Sequence, residues 1–176
     1  IKRNKVMKLF NSIKKQIDDG VRMFKVRLEH KNGKLPYSSK HISNTIDGNY
    51  PIFLADDFVF VKTRCHDMPQ VIATVVGDNQ KEIYVNNLFL TLDPLFQDAI
   101  IQHEVGHLEL MAIYTSKDRF LTNLGLSNKA YLAECAADDY SKAGGHRILQ
   151  ALMHLHATYP IARTHEFHKR ILRLMP

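Results

Sequence analysis

The chain has 176 residues, of which 45% are apolar and 24% are charged, a composition typical of one soluble globular domain. No stretch approaches the roughly eighteen consecutive apolar residues of a membrane-spanning helix, and no secretory signal is recognisable. Two cysteines are too few for a disulfide framework, and we interpret both as reduced thiols. We therefore expect a soluble, cytoplasmic protein.

The net charge of +6 is concentrated at the N-terminus. Residues 1–34 contain eleven Lys or Arg and three acidic side chains, giving +8. Apolar residues recur there every three or four positions, which predicts a basic amphipathic helix, followed by a domain of residues 35–176. This helix either packs on the domain or contacts an acidic partner, a membrane surface or a larger assembly such as a phage particle. Nucleic acid is the weaker prediction, because no known binding motif accompanies the lysines.

Further along the chain, residues 32–51 are rich in Gly, Pro, Ser and Asn and predict a loop. Short β-rich runs follow at 58–61, 71–76 and 83–85, and a turn within 77–80 makes a hairpin of the last two. Helices are predicted at residues 95–114, 129–143, 146–159 and 163–174. The predicted fold class is α+β, mainly helical, with a small sheet before the first of these four helices.

The strongest chemical signal is His103-Glu104-Val105-Gly106-His107, an H-E-x-x-H pattern. On a helix, His103 and His107 lie one turn apart on the same face, so both imidazoles can bind one cation while Glu104 projects beside it. The surrounding residues are apolar, which predicts that the helix is buried. The pattern indicates a zinc hydrolase with Glu104 as its general base.

A catalytic zinc ion takes a third protein ligand, and Glu134 is the best candidate. It lies on the helix predicted at 129–143, among small residues suited to close helix packing. Asp138 follows one turn later on the same face, where it can accept a hydrogen bond from a ligand imidazole and fix its tautomer. The predicted metal ligands are therefore His103, His107 and Glu134.

With these motifs the chain resembles the gluzincins, and more narrowly the HtpX-like and CAAX-prenyl-protease-like metallopeptidases. The resemblance covers residues 69–174 and includes the strand entering the motif helix, the E-x-x-x-D helix, and Thr164-His165 with Arg170-Ile171 near the C-terminus. It implies a zincin-like fold, Zn²⁺ as cofactor and a polypeptide substrate. The regulatory ImmA/IrrE-type peptidases share H-E-x-x-H and a related acidic helix, and they are the close second.

The expected activity is that of a zinc-dependent endopeptidase that holds an extended substrate along residues 71–76. A second electrophile must stabilise the reacting oxygen, and His165 is preferred over Tyr159 and Arg170. The competing hypothesis is a non-catalytic structural or binding protein of zincin fold, with the basic N-terminal helix as its working surface.

Overall fold

The computed structural model describes residues 40–54, 73–76, 81–114, 116–159 and 164–176. The predicted basic helix of residues 1–34 lies outside the described residues, as do the partner contacts expected of it. The strand predicted at 58–61, the turn at 77–80 and Cys65 also lie outside them. Among the helices that are described, none combines the length and apolar character that crossing a membrane requires.

The described strands form one four-stranded sheet. They are β1 (Lys40–Asn44), β2 (Pro51–Leu54), β3 (Ala73–Val76) and β4 (Glu82–Val85). The order across the sheet is β1-β2-β4-β3, with β2 and β4 parallel and the two outer pairings antiparallel. The antiparallel pair β3 and β4 confirms the two strands predicted as a hairpin, and places β3 at one edge of the sheet.

The prediction of a loop across residues 32–51 is wrong for residues 40–44, which form β1. All five residues of β1 are exposed, and their sequence shows no alternation of apolar and polar side chains. The strand is held by backbone pairing with β2, with a register shift between His41 and Ser43. Side-chain patterns report burial, so an exposed edge strand is invisible to them.

A 3-10 helix at Phe89–Thr91 and five described α-helices follow the sheet in the sequence: α1 (Pro94–Glu109), α2 (Ser116–Asn123), α3 (Lys129–Ala143), α4 (Ile148–Thr158) and α5 (His165–Leu174). The α+β class and the mainly helical second half are confirmed, and α3 has the predicted bounds. Helix α2 was not predicted, because its sequence is mostly polar.

Helix α1 begins where predicted but ends five residues early. The side chain of Asp93 accepts a hydrogen bond from the Leu95 backbone N–H, and Pro94 occupies the first turn, where its missing N–H costs nothing. The helix ends at Glu109, and Met111 then adopts a positive φ of 48°. The prediction of a helix reaching residue 114 is therefore wrong, and residues 112–114 are not helical.

The core lies between the sheet and α1, with α4 and α5 completing it. Ile83 and Val85 of β4 are fully buried and pack with Ala99 and Ile101 of α1 and Leu152 of α4. Helix α1 contacts β3, β4, α3 and α4, so it is the central element. Its buried residues include His103, Glu104 and His107 as well as apolar side chains.

Helices α1 and α3 approach closely at Gly106. A Cβ atom built on Gly106 would lie 2.9 Å from Cβ of Tyr140 and 3.1 Å from Cα of Ala137. Both of these atoms are close to the α3 backbone and cannot move aside without moving the helix. The glycine therefore sets the separation of the two helices that carry the predicted ligands.

The variant Gly106→Ala tests this close packing. In an ordinary helix the change stabilises by about 1 kcal/mol, but here overpacking is expected to lower the free energy of unfolding by about 1–3 kcal/mol. Urea denaturation followed by circular dichroism measures it. A midpoint equal to or above that of the wild type would contradict the close approach.

Candidate metal centre

The structure brings the three predicted ligands together. The buried imidazoles of His103 and His107 lie one turn apart on α1, with ring centroids 4.8 Å apart. Glu134 faces them from α3: Oε2 lies 3.5 Å from Nε2 of His103, and Oε1 lies 4.0 Å from Nε2 of His107. One ligand atom from each residue can be chosen so that all lie within 4.8 Å of one another, a spacing that allows a shared cation.

Both imidazoles present the same nitrogen to Glu134. Nδ1 of His107 donates a hydrogen bond to the Ala112 carbonyl oxygen at 2.8 Å, since a carbonyl can only accept. Nδ1 of His103 lies 2.8 Å from Oδ1 of Asp138, which is where the sequence predicted this carboxylate. The hydrogen bond orients the His107 ring, whereas Nδ1 of His103 lies beside the Asp138 carboxylate without hydrogen-bond alignment. In both rings Nε2 is the nitrogen that faces Glu134, as in metal-binding histidines whose other nitrogen lies against an acceptor.

Arg170 of α5 balances the buried carboxylates of α3. Its Nε and one terminal nitrogen donate to Asp138 at 2.8 and 2.7 Å, and the other terminal nitrogen donates to Oε2 of Glu134 at 2.5 Å. Burial alone would raise the pKa of both carboxyl groups, but Arg170 lowers the pKa of Asp138 and holds that of Glu134 well below its usual range. Both therefore remain charged inside the protein.

A second set of contacts surrounds the other oxygen of Glu134. The hydroxyl of Tyr114 donates to Oε1, and Arg119 donates to the same oxygen at 2.8 Å. Arg119 also donates to the Tyr114 hydroxyl oxygen and to Glu166 at the start of α5. Glu134 is thus hydrogen-bonded on both of its oxygens.

No pattern in the sequence predicted the contacts of Tyr114, Arg119 and Glu166 with one another and with Glu134. A helix continuing to residue 114 would carry Tyr114 almost two turns beyond His107 and away from the ligands. Because α1 ends at Glu109, the chain instead turns and brings Tyr114 beside Glu134. Arg119 lies on a helix that was not predicted, and its contact with Glu166 spans 47 residues.

Burial sets the protonation of Glu104 and His107, two residues of the H-E-x-x-H motif. It raises the pKa of the Glu104 carboxyl group to about 7, which suits a group that takes and returns a proton near neutral pH. It also lowers the pKa of His107 to about 4, helped by the charge of His103, so this imidazole is neutral. Neutral imidazole is the form that binds a metal.

The ion-paired side chains around Glu134 carry more negative than positive charge. The paired carboxylates, Glu134, Asp138 and Glu166, outnumber the guanidinium groups of Arg119 and Arg170 by one. His103 reflects this deficit: burial would lower its pKa, but Asp138 and Glu134 raise it to about 9. A divalent cation held by His103, His107 and Glu134 would supply the missing charge, so the donor set fits a metal.

The candidates for a second electrophile lie in different places. His165 is the exposed first residue of α5, whereas the contacts of α5 with Glu134 and its partners come from Glu166 and Arg170. Tyr159 packs against the hydrophobic core at the end of α4. The catalytic role of His165 stays a prediction.

Replacing Arg170 tests the charge balance. Arg170→Leu leaves Asp138 and Glu134 buried without their cation, and we expect a loss of about 3–5 kcal/mol in the free energy of unfolding. Arg173→Leu on the same helix is the control, because its partner Asp139 is exposed and the loss should be about 1 kcal/mol or less. Equal losses in urea denaturation would contradict the role given to Arg170.

No match among known proteins provides a template for this site. Protein-family models, curated proteins and solved structures give no match to the chain. The cluster of His103, His107 and Glu134 and its surroundings are therefore the features that indicate a function.

Proposed function

We propose that the chain is a zinc-dependent endopeptidase of gluzincin type. One observation carries the proposal: ligand atoms of His103, His107 and Glu134 lie within 4.8 Å of one another, and the buried Glu104 follows the first of these ligands on the same helix. A site that only binds a cation does not need a buried carboxylic acid next to its ligands. Hydrolysis by an activated water needs both the cation and a group that accepts the proton of the water.

The donor set favours zinc over other cations. Two imidazoles and one carboxylate are a common ligand set of catalytic zinc, which keeps a further position for water. Calcium and magnesium prefer oxygen ligands, which this cluster offers only through Glu134. Zinc, when bound, supplies a Lewis acid that lowers the pKa of water and polarises a carbonyl group.

Glu104 has the role of general base and then general acid. It takes a proton from the attacking water as the new C–O bond forms, and delivers that proton to the peptide nitrogen as the C–N bond breaks. A carboxyl group whose pKa is raised by burial serves both steps, because neither of its protonation states is strongly preferred near neutral pH. Asp138 and the Ala112 carbonyl keep the two imidazoles in orientation.

Strand β3 is the proposed support for a polypeptide substrate. It forms one edge of the sheet that the described strands make, and it contacts α1, the helix that carries Glu104. An edge strand has free backbone groups that can pair with an extended peptide whatever its side chains. Such binding suits an endopeptidase acting on unfolded segments.

Within the gluzincins, we favour the HtpX-like and CAAX-prenyl-protease-like group. Arg170, which belongs to the C-terminal pattern matched to that group, contacts both Glu134 and Asp138. The ImmA/IrrE-type peptidases remain the alternative, because the contacts of the two histidines with Glu134 suit either group.

Metal content tests the ligand set. After dialysis against metal-free buffer and addition of zinc, we expect about one zinc ion per wild-type chain. Glu134→Gln should weaken zinc binding more than about 100-fold, beyond the loss expected for a residue that only supports a ligand. Asp139→Asn is the control, because Asp139 lies on the same helix as Glu134 but is exposed and paired with Arg173. Equal zinc affinity in the wild type and Glu134→Gln would rule out this ligand.

Cleavage of an unfolded, fluorescently labelled protein tests the catalytic base. Glu104→Gln should keep zinc and lower kcat by about 10²–10⁴-fold, because no group then accepts the proton of the attacking water. Glu109→Gln is the matched control on the same helix, since Glu109 is exposed and bonded to Tyr50. Equal rates for Glu104→Gln and the wild type would overturn the proposed function.

A further inference from the structure

We propose that Tyr114 is a catalytic residue whose hydroxyl donates a hydrogen bond to the substrate carbonyl oxygen as that oxygen becomes negatively charged. Arg119 is its positioning residue. The inference rests on the proposed peptide hydrolysis, in which the carbonyl carbon becomes tetrahedral and its oxygen gains charge. Fixed donors aimed at such an oxygen are among the largest contributions to catalysis.

The position of the Tyr114 hydroxyl supports this role. It donates to Oε1 of Glu134, the oxygen that faces Nε2 of His107 at 4.0 Å. The Tyr114 ring lies edge-on to the His107 ring, with centroids 6.1 Å apart. The hydroxyl therefore borders the space that the three ligand atoms enclose for a metal ion, and the reacting carbonyl has to lie at the open position of that ion.

The hydroxyl can turn to a substrate without leaving Glu134 unbonded. Arg119 donates to the same Oε1 at 2.8 Å, and Arg170 donates to Oε2 at 2.5 Å. A phenol has a single proton that rotates about its C–O bond, so it serves either Glu134 or the substrate oxygen at one time. Two arginines hold the carboxylate, so the bond from Tyr114 is not needed to place it.

Arg119 fixes the ring and polarises its hydroxyl. Its guanidinium carbon lies 4.6 Å from the centroid of the Tyr114 ring, and a nitrogen of the same group donates to the hydroxyl oxygen. Donation to that oxygen strengthens the hydrogen bond that the hydroxyl itself makes. Glu166 holds the other side of the guanidinium group.

Tyr114 transfers no proton in this scheme. The proton of the attacking water moves to Glu104 and then to the leaving nitrogen, while the C–O bond forms and the C–N bond breaks. Tyr114 contributes a hydrogen bond that is strongest in the transition state. Its removal should therefore lower kcat more than it changes KM.

The test compares Tyr114→Phe with the control Tyr131→Phe, a tyrosine on α3 whose hydroxyl interacts with Cys135. We expect Tyr114→Phe to bind zinc within about threefold of the wild type in chelator competition, while kcat falls by about 10²–10³-fold with little change in KM. A phosphinic peptide built on the mapped cleavage sequence should lose affinity in parallel with kcat, and the product peptide should not. Tyr131→Phe should match the wild type in every measurement.

The positioning role of Arg119 is tested by paired variants. Arg119→Met should lower kcat and the affinity for the phosphinic peptide, and Arg119→Lys should restore part of both, because it keeps the charge beside Tyr114. Equal losses in the two variants in these measurements would favour a role in packing and overturn the assignment.

The outcomes separate this inference from the function on which it rests. If the wild type cleaves and Tyr114→Phe cleaves equally well, the catalytic role of Tyr114 is wrong and the endopeptidase stands. If Tyr114→Phe loses zinc affinity in proportion to kcat, Tyr114 only supports Glu134. If the wild type binds zinc but cleaves no unfolded substrate, both proposals fail together.

Discussion

The site depends on one buried interaction, the guanidinium group of Arg170 between Asp138 and Glu134. Two carboxylates on one buried helix face repel each other and lose their hydration, at a cost of several kcal/mol per ion. A forked, planar cation compensates both at once, because its nitrogens match the spacing of the carboxylate oxygens. The C-terminal helix is thereby part of the centre, although the histidines lie more than sixty residues earlier.

Close packing constrains the arrangement of α1 and α3, as the buried charges do. Gly106 lets α1 approach the backbone of α3, and this approach places Glu134 opposite His103 and His107. Asp138 then meets the outer nitrogen of His103. Helix separation, imidazole orientation and charge compensation are therefore one arrangement, and a change in any of them shifts the others.

Local spacing predicted the parts of the site that lie on single helices. His103 and His107 share one helix face, as do Glu134 and Asp138, and a period of 3.6 residues is sufficient to find both pairs. Tyr114 could not be found this way, because its position depends on where α1 ends. The exposed edge strand β1 was missed because its stability comes from backbone pairing, which leaves no side-chain pattern.

The turn after α1 also limits how related chains can vary. Tyr114 follows His107 by seven positions, and between the two residues the Ala112 carbonyl accepts a hydrogen bond from the His107 imidazole. An inserted or deleted residue would displace both the carbonyl and the phenol, so this connection cannot change length as ordinary surface loops do. Met111 has a positive φ, which Gly or Asn would adopt more easily and which valine and isoleucine disfavour. Homologues that keep this site are thus expected to preserve the seven-residue interval and to carry no β-branched residue at position 111.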